Sequence, residues 1–253
     1  MKAFVHIILG LAVAGCVTVT AAASSTLPDL PQSYIFSQAG KLTGLRPSVA
    51  YRAHLFPVPV RVTVPDRSWS GAQWKANTFH PDQIERRHLT CGSNPLVCAP
   101  PYYGWVALGQ TGSPGNHAPR DLILIMTGYT RTPSVAATVT SLRTRGHGAT
   151  YGPAAPVKLG GFPGVQFDGI VTAPLHVFVP FSPRTHKATG FADAVYMDGP
   201  GHGFRFVVLD VRGRTVIVMV ASTVMTADAF TAFLPTSDAV LRSLRFPATT
   251  NGG

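Results

Sequence analysis

Two groups of residues in this chain have types and spacing that could support chemistry. In the first, Cys91 and Cys98 enclose a short loop-forming stretch, with His80 and His88 shortly before it. In an oxidising compartment the two cysteines are expected to form a disulfide that closes this loop. The alternative is a metal site built from both cysteines and both histidines, but their spacing matches no standard zinc pattern. We therefore expect a disulfide and no metal.

The second group is the glycine-rich segment Asp198-Gly199-Pro200-Gly201-His202-Gly203. It looks like a phosphate-binding loop, yet it precedes a predicted strand, so no helix N-terminus is available to hold phosphates. Gly-x-Ser-x-Gly and His-Glu-x-x-His motifs are absent, and the sole glutamate, Glu85, lies beside two arginines. We expect no catalytic residues and no cofactor. The alternative is an extracytoplasmic hydrolase that uses His202 with Asp198.

The first 15 residues have the character of a targeting segment. Lys2 supplies a positive charge, and the largely apolar residues 3–14 match a signal peptide but are too short to span a bilayer. The string Val13-Ala14-Gly15-Cys16 resembles the lipobox of bacterial lipoproteins, which implies lipid attachment to Cys16. The alternative is a secreted protein cleaved after Ala21-Ala22-Ala23. Both interpretations put the mature protein outside the cytosol, the first on the membrane.

Composition and length predict a single globular domain rich in strands and loops. The 253 residues are 45% hydrophobic and include 25 Gly and 22 Pro, whereas only 13% are charged. After the signal peptide, residues 16–49 are rich in Thr, Ala, Ser and Pro and predict a flexible tether. Residues 50–247 are expected to form the domain, and residues 248–253 a disordered tail.

The strongest structural pattern is a hairpin followed by a helix. Phe204–Val211 and Thr215–Ser222 are apolar on both faces, which is typical of central strands, and Arg212–Arg214 predict the turn between them. The helix that follows is expected to begin at a Thr226 or Asp228 cap. Its buried face would carry Phe230, Phe233, Leu234, Leu241 and Leu244, and Pro235 predicts a kink or two short helices.

The remaining elements are mostly strands. A helix is predicted over Pro133–Gly146, with Thr132 as its cap. Trp69 and Trp74 are expected in or beside the core rather than in a sugar site. Further strands are predicted at Val60–Pro65, Gly104–Gln110, Leu122–Tyr129, Val157–Gly160, Val165–Thr172 and Leu175–Phe181.

This order of elements, with the segments Leu159–Phe167 and Val240–Phe246, resembles the LpqN-like cell-envelope lipoproteins of actinobacteria. The resemblance extends over residues 50–246 and implies the Mog1/PsbP-like fold of that family. The fold class is then α+β, an antiparallel β-sheet covered by helices in an α/β/α sandwich. The resemblance also implies a binding or accessory role rather than catalysis, and it supplies no catalytic residues.

The formal net charge of +10 is the remaining indication of function. A basic domain at a membrane attracts anionic lipid head groups, cell-wall phosphates or acidic polysaccharide, although the arginines are scattered along the sequence. The prediction is a non-catalytic binding or accessory lipoprotein of the cell envelope, with an anionic lipid, a cell-wall polymer or an envelope protein as partner. No motif indicates nucleic acid.

Overall fold

The computed structural model describes residues 27–32, 42–76, 103–110, 121–129, 132–145, 148–173, 175–178, 194–197, 200–222 and 226–248. The helices in these residues are α1, Val135–Arg145, and α2, Ala227–Ser243. The strands are β1 Thr43–Gly44, β2 Ala50–Ala53, β3 Val60–Thr63, β4 Trp69–Ala76, β5 Tyr103–Gln110, β6 Asp121–Gly128, β7 Ala149–Tyr151, β8 Ala155–Leu159, β9 Phe162–Val171, β10 Leu175–Phe178, β11 Ala194–Met197, β12 Gly203–Val211 and β13 Arg214–Ser222.

The centre of the fold is a nine-stranded antiparallel sheet. Its strand order is β1-β4-β5-β6-β13-β12-β9-β7, and β8 also pairs with β9. The predicted hairpin is confirmed, since β12 and β13 occupy the middle of this order. Arg212 and Gly213 form its turn with φ values of 55° and 78°, which suit a two-residue hairpin turn. The antiparallel sheet and the α+β class are therefore as predicted.

Side chains of the central strands alternate between two hydrophobic clusters. In β12, Val207 and Leu209 belong to one cluster, together with Phe233 of α2. Phe206 and Val208 belong to the other cluster, together with Leu142 of α1. Because successive side chains of a strand point to opposite faces, the sheet carries a hydrophobic core on each side. This explains why neither arm of the hairpin alternates between apolar and polar residues.

Helix α2 begins as predicted, but it continues through its proline. The Thr226 hydroxyl accepts a hydrogen bond from the Ala229 amide, and the helix runs unbroken to Ser243 with Pro235 inside it. The expectation of two short helices is therefore wrong. Pro235 and Thr231 are exposed, so water can bond the Thr231 carbonyl that the proline leaves without an amide.

The cap of α1 differs from the prediction. The Ser134 hydroxyl, not that of Thr132, accepts a hydrogen bond from the Ala137 amide at 3.2 Å. The Thr132 hydroxyl instead accepts from the Thr215 amide at 2.9 Å, which ties the start of α1 to β13. The Thr132 hydroxyl, predicted to cap α1, is thus occupied by a backbone amide of β13.

Two parts of the predicted tether pack against the domain. Leu30 is 1% exposed and Leu45 is 4% exposed, and both belong to the hydrophobic cluster on the α2 side. The Leu30 amide donates to the Arg52 carbonyl, and the Leu45 amide donates to the Trp69 carbonyl. The domain therefore begins before residue 50, because short segments without periodicity still use single leucines as anchors.

Candidate anion-binding surface

A small outer sheet lies beside the end of α2. Its centre is the β2–β3 hairpin, which pairs separately from the nine-stranded sheet. The Ser243 hydroxyl in the last turn of α2 donates to the Thr63 carbonyl and accepts from the Thr63 amide, at 2.8 and 3.0 Å. The segment around Asp29 flanks β2, and Arg245 flanks β3. Four pieces of chain distant in sequence therefore meet side by side.

The register of this outer sheet places three arginines in a row. Arg52 is opposite Arg61, and Arg61 is opposite Arg245. Arg61 and Arg245 exchange both backbone hydrogen bonds, at 2.9 and 3.0 Å. The backbone of Arg52 bonds Pro28 and Leu30 instead, so Arg52 and Arg61 form a non-hydrogen-bonded pair. In such a pair the Cα atoms are only about 4.5 Å apart and the side chains are at their closest.

These three residues, hereafter the arginine row, point to solvent. Their neighbours in sequence on β2 and β3 are buried, whereas Arg52, Arg61 and Arg245 are all exposed. Directly opposite residues of adjacent strands project to the same face, so the guanidinium groups share one surface. Arg242 in the last turn of α2 is exposed nearby, and its carbonyl accepts a 2.7 Å hydrogen bond from Arg245 Nη1. Arg242 and Arg245 therefore lie beside each other at the end of α2, and the row extends from there across β3 to β2.

Among the residues that the structure describes, one carboxylate pairs with the row, at its Arg52 end. Asp29 Oδ1 accepts from Arg52 Nε at 2.7 Å, and Asp29 Oδ2 is 3.4 Å from His54 Nδ1. The hydrogen bond from Arg52 lowers the pKa of Asp29 and raises that of Arg52. Across the described parts of the chain, no ion pair involves Arg61, Arg242 or Arg245. Like charges directly opposite one another destabilise a sheet, so the row costs the fold some stability.

A buried glutamine holds the acidic end of the row in place. Gln73 is fully buried, and its Oε1 accepts from the Leu55 amide at 2.8 Å. Its Nε2 donates to the Leu30 carbonyl at 2.6 Å and lies 2.9 Å from His54 Nδ1. Because Oε1 must be the acceptor, Nε2 is the donor to His54, which assigns the histidine proton to Nε2. Gln73 thus fixes both the Asp29 segment and His54.

The Asp29–Arg52 pair should make stability depend on acidic pH. The folded protein lowers the pKa of Asp29 from its ordinary value of 3.8. Its contribution is therefore present above the ordinary pKa and is lost as the pH falls through the lowered one. We expect the difference in free energy of unfolding between wild type and Asp29→Asn to shrink between about pH 6 and pH 3 in urea titrations. A difference that does not change with pH would contradict the pairing.

The sequence-derived candidates for chemistry lie elsewhere or outside the described residues. His202 is 6% exposed, and its Nε2 has no hydrogen-bond partner in the described structure. Its candidate partner Asp198 lies outside the described residues, as do Cys16, Cys91, Cys98, His80 and His88. The described residues contain no group of three or more His, Cys, Asp or Glu side chains that could hold a metal. No helix among them is long and apolar enough to cross a membrane.

A groove of about 650 Å³ opens on a different part of the surface, between the start of α1 and the β12–β13 turn. Its polar side chains are engaged within the protein. Thr215 Oγ1 donates to the Pro133 carbonyl, and Asp210 Oδ1 accepts from the Gly213 amide. The groove therefore presents few polar groups to a ligand, and the arginine row is the stronger candidate site.

The row was missed because sequence reasoning treated the arginines as scattered. The alternation in Tyr51-Arg52-Ala53 and Val60-Arg61-Val62 does indicate that Arg52 and Arg61 face solvent. What the alternation cannot provide is the pairing of β3 with Arg245, which follows α2 nearly two hundred residues later. Strand register thus brings together three charges that are separated in the sequence.

Comparisons with known proteins give one weak structural similarity. No family model matches the chain, and no curated protein matches it. One solved structure is similar, the solution structure of cyanobacterial PsbP (CyanoP) from Synechocystis. The identity is 11%, the match covers 74% of this chain and 86% of that chain, and the TM-score is 0.36. The chain has a weak structural neighbour with the PsbP fold.

Proposed function

We propose that this protein is a non-catalytic binding or accessory lipoprotein of the cell envelope, which holds an anionic ligand on the arginine row. The observation that supports this most directly is the environment of Arg61. It is exposed, it lies directly between Arg52 and Arg245, and it forms no ion pair with a described residue. An anion bridging these side chains would turn mutual repulsion into attraction.

The predicted cellular address fits a ligand of the envelope. Lipid on Cys16 would tether the chain, and residues between Cys16 and Asp29 can span at most about 45 Å. Asp29 lies against Arg52, so the tether would join the domain at the end of the arginine row. Anionic head groups and cell-wall phosphates would then be within reach of the row. The LpqN-like resemblance is part of the same proposal.

The LpqN-like resemblance also implies how the helices and the sheet are layered. We propose an α/β/α arrangement, with α2 over one face of the main sheet and α1 over the other. It is supported by Phe233 and Leu142, which belong to hydrophobic clusters on opposite faces. In this arrangement the arginine row is carried by the outer sheet on the α2 side and is free of the main core.

Vesicle binding tests the proposed function. The chain carrying Cys16→Ala, which cannot be acylated, would be sedimented with vesicles of phosphatidylcholine alone or mixed with phosphatidylglycerol. We expect binding to the mixed vesicles at low ionic strength and its loss at high salt, because salt screens exposed charges. The neutral vesicles control for binding through the apolar leader. Equal binding to both vesicle types would contradict an anion-binding role.

A further inference from the structure

The carboxylate of Asp29 already occupies the position of a ligand at one end of the row. Its two oxygens contact Arg52 Nε and His54 Nδ1, at 2.7 and 3.4 Å. Only Oδ1 accepts a hydrogen bond in these two contacts, because Gln73 makes His54 Nδ1 an acceptor, and no ion pair joins Asp29 to Arg61. A planar carboxylate thus pairs with the end of the row, and no described residue supplies a counter-charge at its centre.

A phosphate group suits the centre of the row better than a carboxylate does. Even a phosphodiester keeps two free oxygens on a tetrahedral phosphorus, and each oxygen can accept more than one hydrogen bond. The two oxygens can therefore face one guanidinium while one of them also faces the next. Guanidinium groups bind phosphate through paired N–H donors in this way. Arg52 and Arg61 form the closest type of cross-strand pair, with Cα atoms about 4.5 Å apart. Two guanidinium groups at this spacing can share one phosphate.

Resting on the proposed function, we propose that the row binds a phosphate group that bridges Arg52 and Arg61 and displaces the Asp29 carboxylate from Arg52. The Asp29 carboxylate then competes with the phosphate for Arg52. This competition weakens phosphate binding, and a more highly charged phosphate overcomes it more readily. The ligand class is a phosphate ester, whether it belongs to a lipid head group or to a soluble phosphate compound.

Asp29 can give way without unfolding its segment. Its side chain is 40% exposed, so the carboxylate can rotate into water. The backbone on either side stays fixed, because Leu30 is buried and its carbonyl accepts from Gln73. Pro28 and Leu30 also bond the backbone of Arg52 directly. Displacement therefore needs a change of one side-chain rotamer only, and Arg52 keeps its place in the row.

Titration with inorganic triphosphate tests this competition. Calorimetry would compare wild type with Asp29→Asn, Arg61→Gln and Lys158→Gln in the full chain. Lys158 lies on β8 and alternates with Val157 and Leu159, which pack against the α2-side cluster, so it points to the other face. We expect Asp29→Asn to tighten binding about fivefold and Arg61→Gln to weaken it about fivefold. Lys158→Gln, which removes one equal charge, should change it less than about twofold.

The outcomes separate the two levels of the proposal. If no variant binds triphosphate or phosphatidylglycerol vesicles, both the proposed function and this inference are overturned. If Arg61→Gln weakens binding but Asp29→Asn does not tighten it, the proposed function stands and the competition is refuted. Citrate is the control ligand that carries carboxylates instead of phosphates. If citrate bound as tightly as triphosphate, the assignment of the row to a phosphate would be refuted. Binding to vesicles alone supports a lipid head group, and binding to triphosphate alone supports a soluble phosphate.

Discussion

Gln73→Ala is expected to lower the free energy of unfolding by about 3–5 kcal/mol. The amide is fully buried and bonds Leu55, Leu30 and His54. Truncation leaves the Leu55 amide and the Leu30 carbonyl without these partners, and each unpaired buried group costs about 1–3 kcal/mol. It also leaves a cavity between β4 and the Asp29 segment. Urea denaturation followed by fluorescence would measure the loss.

Gln110→Ala is the matched control for this truncation. Gln110 is only partly buried, and its Nε2 donates to the Ser68 hydroxyl at 2.9 Å. The same atoms are removed, but solvent can replace the lost bond, so a loss below about 1 kcal/mol is expected. Equal losses at Gln73 and Gln110 would mean that the buried amide does not hold the segment.

The double variant Arg61→Gln with Arg245→Gln is expected to bind anionic vesicles about 25-fold more weakly than wild type. Each basic residue near an anionic surface contributes about 1 kcal/mol, which is about fivefold in affinity. Both residues are exposed and neither forms an ion pair with a described residue, so the substitutions remove no charge–charge partner within the described structure. Sedimentation at low ionic strength measures it.

Charge alone must be excluded as the cause of that loss. Lys158→Gln removes one positive charge from the other face of the sheet and should reduce binding less than about twofold. Arg245 also donates to the carbonyls of Arg242 and Leu244, so its substitution costs some helix-end stabilisation. If Lys158→Gln weakened binding as much as a change at Arg61, binding would follow net charge and not the row.

Local patterns were sufficient to predict the middle of the fold. The arms of the β12–β13 hairpin are continuous apolar runs, α2 has a helical apolar period, and both elements are found close to the predicted bounds. The same holds for β6, which is buried over nearly its whole length. These elements are buried in the sheet or against it, and burial favours an apolar residue at each buried position. The local sequence therefore shows the pattern directly.

Short and polar elements could not be predicted in this way. β4 begins at the buried Trp69, which was expected in the core, yet Ser70-Gly71-Ala72-Gln73 show no strand alternation. Gly71 lets the chains approach closely there, because a Cβ would lie 2.8 Å from the Leu45 side chain and would push it away. That leucine comes from the segment predicted to be a tether. The residue types in β4 therefore follow from packing against segments distant in sequence, and a local sequence pattern cannot predict them.

The candidate site depends on long-range pairing in the same way. The net charge indicated an anionic partner, and alternation indicated exposed arginines, but neither predicts which arginines lie side by side. The row forms because Ser243 and Arg245 bond β3 after α2 has crossed the sheet. Its position is thus a consequence of the tertiary fold.

The most direct test of the account is to measure stability and affinity together for Arg61→Gln. Arg61 lies between two arginines, and like charges directly opposite cost about 0.2–1 kcal/mol. We predict that the free energy of unfolding stays the same or rises slightly while affinity for anionic vesicles falls about fivefold. That combination would mean that Arg61 contributes to ligand binding and not to the stability of the fold. A less stable variant with unchanged affinity would show that the arginine row serves the fold.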